Sequence, residues 1–341
     1  MQLWVYRQRC SVSNICLDNI KSRAIWSSRN LNLQNRRPLL EKWVTDCVTL
    51  HQGCKSSIAL ENPTRLLDIC PGGADAVDTV RLIDSKFLHE IVRYTTLSHR
   101  WGSSQSEGPL RTMKATEKAH HAGILVQKLS KTFQDAVQLT RAFSIRYLWI
   151  DSLCIIQDDP EDWENEAAKM AVYYENSHLC ISAENSDLNP GCAIDRFNDE
   201  LLMGLTSAEH RNPIAIRTDA GNYTPRSARV YQSALQRRGW ILQEAFLSPR
   251  VVHCLPDQWY WQCSRLAQLE DGSFESETFD FVTSSLNRPL VVKSDRIRMW
   301  HELATAYSSR ENCRICRDHE VFSAKVSRRA YAWDLEVNSG V

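Results

Sequence analysis

Tyr147-Leu-Trp-Ile150, a short and almost wholly apolar run ending on Asp151, narrows the choice of fold more than any other segment of this chain. A strand without polar alternation is one buried on both faces, the habit of parallel sheets. The residues after Asp151 support that reading. Asp159-Pro160, then Glu161 and Asp162, is a helix start: Asp suits the cap, Pro the first turn, and acids the positive end of the dipole. Trp163, Ala167, Met170 and Tyr174 recur on one helical face, and Leu179 to Ala183 reads as the next strand. Upstream, Tyr94 to Ser98 reads as a strand. Phe133, Ala136, Val137, Thr140 and Phe143 mark one face of a helix that Ser130 can cap. Strand, helix, strand, helix, strand at these lengths predicts an α/β fold, a parallel sheet flanked by helices.

The flanks are less regular. Residues 1–40 form a poorly defined N-terminal segment, in which Ser27 to Pro38 reads as loop or disorder. Glu41 to His51 reads as a helix. Pro63 and Pro71-Gly72-Gly73 bracket a short segment from Arg65 to Ile69. Beyond Asn189 the expected elements are a strand at Ile214 to Arg217 and a short helix or helical turn at Gly239 to Ser248. A strand pair, Val251 to Cys254 with Trp259 to Cys263, lies around Pro256-Asp257. Glu270 to Thr278 reads as an acidic, Ser-rich loop, and Ile297, Trp300, Ala304 and Tyr307 suggest a last amphipathic helix. The expected organisation is one domain over 41–265 and a short, partly β C-terminal extension over 266–341.

At 341 residues and 43% hydrophobic, the chain has ample material for a core. Its 41 basic and 41 acidic residues balance, so neither nucleic acid nor an anionic membrane is an expected partner. Met1 to Asn19, with Arg7, Arg9 and Asp18, lacks a signal peptide's apolar centre, and no run has membrane-span length. A cytoplasmic location with free thiols is therefore expected for the 12 cysteines. Cys47 and His51 lie four apart, on one face of a helix, Cys54 comes three residues later, and Cys70 could add a fourth donor. That set resembles a structural zinc site. The other reading is a packed helix face shared with Val44 and Val48. Cys313-x-x-Cys316 with His319 is a second possible set. A nucleophile elbow, a glycine-rich phosphate loop and an HExxH motif are all absent, which argues against those enzyme classes.

Three segments carry a resemblance. They are Tyr94-Thr-Thr-Leu-Ser-His-Arg-Trp-Gly102, then Tyr147-Leu-Trp-Ile-Asp-Ser-Leu-Cys-Ile-Ile-Gln-Asp158 with Met170 and Tyr173-Tyr174, and then Arg238-Gly-Trp-Ile-Leu-Gln-Glu-Ala-Phe-Leu-Ser-Pro-Arg250. In order and spacing they resemble the three blocks (94–102, 147–174 and 238–250) of the fungal heterokaryon-incompatibility (HET) domain. The likeness extends to Trp261-Gln262-Cys263 and upstream to Trp43, Cys47, His51, Cys54 and Pro63 to Asp68. Two departures stand out. Ser130 replaces the family's usual Pro, which affects only the helix entry. Family members also continue well past the third block, so an end at Val341 is expected to reflect a reduced member or a truncated product.

The resemblance implies a protein of self/non-self recognition and cell-death signalling, with protein partners or self-association. HET domains look distantly TIR-like, and some TIR domains cleave NAD. On that likeness Leu97-Ser98 matches the end of the first TIR strand, and Trp240 with Glu244 matches the segment holding the catalytic acid. Glu244 is then the candidate catalytic group and NAD the candidate substrate. Ser98, His99, Arg100, Trp101, Gly102, Asp151, Trp240, Gln243 and Arg250 are the candidate ligand-binding residues. Arg100 suits a phosphate, and Trp101 or Trp240 a ring. The plainer readings are an ion pair between Glu244 and Arg250, a cap role for Asp151, and loop-stabilising roles for Gln157 and Asp158. A non-enzymatic interaction module, or an accessory protein of a specialised-metabolite gene cluster, are the alternatives for the whole chain.

Overall fold

The structure is a computed structural model. It describes residues 30–51, 54, 61–72, 78–100, 110–184, 247–255, 259–263 and 265–270, with shorter stretches between 191 and 245 and at 274–275. In chain order the elements are β1 (Asn30–Leu31), α1 (Leu33–Leu50), β2 (Arg65–Asp68), β3 (Thr79–Asp84), β4 (Tyr94–Ser98), α2 (Glu117–Ala122), β5 (Ile124–Leu125), α3 (Lys131–Ala142), β6 (Tyr147–Trp149), α4 (Asp151–Cys154), α5 (Pro160–Asn176), β7 (Leu179–Ser182), β8 (Arg196–Phe197), β9 (Leu201–Met203), β10 (Ile214–Ile216), β11 (Arg250–Cys254), β12 (Trp259–Cys263), β13 (Ala267–Leu269) and β14 (Phe274–Glu275).

Ten strands form one sheet, in the order β14-β13-β12-β11-β7-β4-β6-β2-β3-β5. The four at its centre, β11, β7, β4 and β6, run parallel, and antiparallel strands extend the sheet on both sides. The expected α/β fold, a parallel sheet flanked by helices, is what the chain adopts. The apolar runs explain the centre: β4, β7 and β11 are buried along their whole length. Ser98 of β4 and His253 of β11 both pair with Ser182 of β7, so these three side chains mark the carboxyl edge of the parallel strands.

The helices begin where local chemistry starts them. Ser130 Oγ accepts from the Phe133 amide at 3.3 Å, and Phe133, Ala136, Val137 and Thr140 of α3 are buried against the sheet. At α5, Asp159 Oδ1 accepts from the Glu161 amide at 3.2 Å, Pro160 is the first helical residue, and Ala167 and Tyr174 are buried. The strand pair at Val251 and Trp259 forms as β11 and β12, and the strand near Ile214 forms as β10.

Three readings change. The segment expected as loop up to Pro38 is helical from Leu33, because Asn32 caps it by accepting from the Asn35 amide at 2.9 Å. Pro38 lies inside that helix, and tertiary contacts keep it there. Arg36 is fully buried, with Nε 2.6 Å from Glu270 Oε1 and its guanidinium carbon 4.1 Å from the Trp259 ring centre. Arg65 to Asp68, read only as a bracketed segment, is a buried strand. The acidic loop after Glu270 contains β14. The expected helix around Trp300 and the Cys313/Cys316/His319 set lie outside the described residues.

Candidate functional site

The carboxyl edge of the parallel strands is where open α/β sheets bind ligands, because loops leave the strand ends there and backbone groups are unpaired. In this chain Ser98 closes β4 with His99 directly after it, and Asp151 and Ser152 come just after β6. Glu244 lies in a helical stretch with Ile241, Ala245 and Leu247. It is 5% exposed, and its carboxylate is grouped with Ser98, Tyr174, Asp151 and Arg238.

Burial raises the Glu244 carboxyl to about 7, and Asp151 adds to this. Arg238, Ser98 and Tyr174 pull the other way. Ser98 stands beside the carboxylate without good hydrogen-bond geometry: Glu244 Oε2 and Ser98 Oγ are both buried, with no hydrogen-bond partner among the described residues. His99 Nε2 and Ser152 Oγ are in the same state. A buried polar atom left so costs about 1–3 kcal/mol. Several such atoms lie together at this sheet edge, and buried polar atoms in that state call for an explanation.

His99 is held neutral, since burial lowers its pKa and Arg238 adds to that, against the opposing pull of Asp151. Its Nδ1 is 3.8 Å from Asp151 Oδ1, and its ring meets Phe133 edge-on at 5.0 Å. Arg238 Nη1 donates to the His99 carbonyl at 2.7 Å, tying the Glu244 segment to the end of β4.

Asp151 opens α4, and its Oδ1 accepts from the Ser152 amide at 2.7 Å. Gln157 donates to the Asp151 and Ile155 carbonyls, and Asp158 accepts from the Lys114 amide, so both stabilise loops. Arg100 is exposed just past His99. Trp101, Gly102, Trp240 and Gln243 lie outside the described residues. Arg250 is not the partner of Glu244: it begins β11 at the amino edge of the parallel strands, and Arg238 is the cation beside Glu244.

Arg250 instead serves a second cluster. Its Nε donates to the His178 carbonyl at 2.7 Å and its Nη1 to the Cys54 carbonyl at 2.8 Å. There the donor atoms of Cys47, His51, Cys54 and Cys263 all lie within 4.8 Å of one another, and together they could hold a metal ion. The predicted donors Cys47, His51 and Cys54 are thus brought together. Cys70 is not the fourth: it lies just past β2, which is five strands from β12 in the sheet. Cys263 on β12 takes that place, and its separation from His51 in sequence hid it.

A third group has no counterpart in the sequence reading. Glu184, just past β7, accepts from Ser182 Oγ at 2.8 Å and from Ser233 Oγ, and its Oε1 is 2.9 Å from His253 Nδ1. Gln262 Oε1 lies 3.0 Å from His253 Nε2. Burial raises the Glu184 carboxyl, but His253 and the two hydroxyls outweigh it and the net shift is downward. Unlike Glu244, this carboxylate is fully engaged, the mark of a structural brace. No spacing rule joins Glu184 to His253; only the β7–β11 pairing does.

The fold and its carboxyl edge define an α/β domain whose parallel strands end on a buried, polar, partly unsatisfied edge. Residues 94–244 match the model of the family described as heterokaryon incompatibility protein (HET). The match begins at β4 and ends on Glu244, so Ser98, His99, Asp151 and Glu244 all lie inside it. No curated protein and no solved structure matches the chain. Among the described residues, no helix is long and apolar enough to cross a membrane.

Proposed function

We propose that this HET-domain protein acts in the cytoplasm in self/non-self recognition and cell-death signalling, as in fungal heterokaryon incompatibility, and that it does so by cleaving NAD. Glu244 is the working carboxylate of that reading. Water replaces nicotinamide on the ribose anomeric carbon, the bond to the ring nitrogen breaks, and ADP-ribose and a proton are released. A carboxylate at the sugar accepts a ribose hydroxyl hydrogen bond and stabilises the oxocarbenium-like transition state. The observation that carries the reading is Glu244 Oε2, buried beside Ser98 Oγ, each without a hydrogen-bond partner among the described residues. The TIR-like relation of the sheet belongs to the same proposal. For the Cys/His cluster the fitting ion is zinc, since three thiols and one imidazole form a soft, four-donor set.

The test is nicotinamide release from NAD by the full chain at high protein concentration, where any self-association is complete. Wild type is expected to release it and Glu244→Gln to lose at least a hundredfold in rate, the order expected for removing one central charged group. A folded wild type that releases none overturns the reading.

A second reading is a non-enzymatic interaction module that assembles with partner proteins. The 5% exposure of Glu244 favours it, because a substrate has to reach that carboxylate. It predicts no nicotinamide release at any concentration and unchanged partner binding in Glu244→Gln.

A further inference from the structure

We infer that Cys263 completes a four-ligand zinc clasp with Cys47, His51 and Cys54, fixing the end of α1 to the β11–β12 hairpin, with Arg250 as its positioning residue. This rests on the zinc reading above and adds the closed coordination, the structural role and the part of Arg250.

The geometry is that of a tetrahedral N/S site. Zn–S bonds of about 2.3 Å and Zn–N bonds of about 2.0–2.1 Å give donor–donor edges of about 3.5–3.8 Å. Cys263 Sγ and His51 Nδ1 are 3.4 Å apart, and no pair among the four donors exceeds 4.8 Å. The local backbone presents the donors. Cys47 is in the last turn of α1, the His51 amide caps that turn by donating to the Cys47 carbonyl at 3.3 Å, and the Cys54 amide donates to the His51 carbonyl at 3.1 Å. Cys263 ends β12 opposite Arg250, and its amide donates to the Leu266 carbonyl at 2.9 Å. With four protein donors no coordination position stays open, which is the arrangement of structural rather than catalytic zinc.

Two observations favour the ion over a merely packed helix face. The face was expected to include Val48, yet Val48 is 45% exposed while Cys47 is fully buried. Charge also fits: three thiolates and a neutral imidazole on Zn²⁺ leave one net negative charge. The Arg250 guanidinium, 2% exposed, lies 3.9 Å from Cys47 Sγ and donates to the Cys54 carbonyl. Binding releases the three thiol protons to solvent. The clasp closes a seam that runs along α1, where Arg36 meets Glu270, Trp43 Nε1 donates to Gln268 at 3.0 Å, and Trp43 stacks on Trp261 at 5.8 Å.

The experiment measures metal content of the full chain, purified with reductant and without added metal, by elemental mass spectrometry. One zinc per chain is expected in wild type and in Cys70→Ser. Cys263→Ser is expected to lose zinc to a colorimetric chelator at least tenfold more readily, and Arg250→Met ten- to a hundredfold, the range for removing a group that braces a ligand. Zinc-free folded wild type, including a form with two of these thiols oxidised to a disulfide, overturns both the zinc reading and the clasp. Zinc that Cys263→Ser holds as tightly as wild type leaves the zinc reading standing and overturns the clasp. If Cys263→Ser does not fold, cobalt-exchanged wild type decides: a tetrahedral spectrum with charge transfer from three thiolates supports the clasp, and one from two thiolates overturns it. Hydrogen exchange on wild type reads the structural role. Chelator is expected to expose α1 and β12 together, and exposure of α1 alone overturns it.

Discussion

Glu244 holds two opposed features in one side chain. It is buried deeply enough for its carboxyl to rise to about 7, yet one oxygen has no hydrogen-bond partner among the described residues. The consequence for stability has a definite sign. The folded pKa lies above the ordinary value of 4.5, so between about 4.5 and 7 the folded chain holds a proton that the unfolded chain gives up. This contribution is fully present below 4.5 and is lost as pH rises through about 7. Arg238 and Asp151, the charged neighbours, are already included in that balance. Glu244→Gln removes the ionisation. Its melting temperature is expected to exceed that of wild type at pH 8 by more than at pH 5, by the equivalent of about 2–3 kcal/mol. Thermal unfolding at the two pH values checks this, and an equal difference at both would mean the carboxyl titrates normally. Gain of stability with loss of activity is the pattern of a site that works against its own fold.

At the scale of elements, the helices whose starts are written in short local patterns are the ones whose loss is easiest to foresee. Ser130→Ala removes the side-chain acceptor for the Phe133 amide at the start of α3. It is expected to lower stability by about 1 kcal/mol, read as a shift of the urea midpoint with an unchanged slope. The same locality explains what was legible. β4, β6, β7, α3 and α5 arise from apolar runs and caps within a few residues, so the parallel centre of the sheet could be read directly. Glu41 to Leu50 of α1 was read as helix, but its first turns resisted because Pro38 and the Arg- and Asn-rich start argue for loop, and they depend on Arg36 meeting Glu270 and Trp259 far along the chain. Glu244, Ser98, His99 and Asp151 were legible through their blocks, and Cys47, His51 and Cys54 through spacing. Cys263, Arg238 and the Glu184–His253 pair were not, because each is placed by sheet pairing or loop return, and neither leaves a local pattern.

At the scale of the whole molecule, the described residues are joined by contacts of great sequence separation. Arg36 and Glu270 form a fully buried ion pair that joins the first long helix to the far side of the sheet. Arg36→Met strands the Glu270 carboxylate without its cation and is expected to cost about 3–5 kcal/mol. Arg36→Met with Glu270→Leu is expected to cost less, since no buried charge is left, although the Trp259 amide and the Ile194 carbonyl lose their partners. Denaturant unfolding of both variants checks this, and equal losses would show that the pair acts through packing alone. The same geometry bears on synthesis. A ribosome delivers α1 first, but Glu270, Trp259, Trp261 and Cys263 emerge more than two hundred residues later. Until then Arg36, Trp43 and Cys47 lack these partners. The nascent helix, with buried-type side chains and its partners still unmade, is a segment that a holding chaperone would shelter.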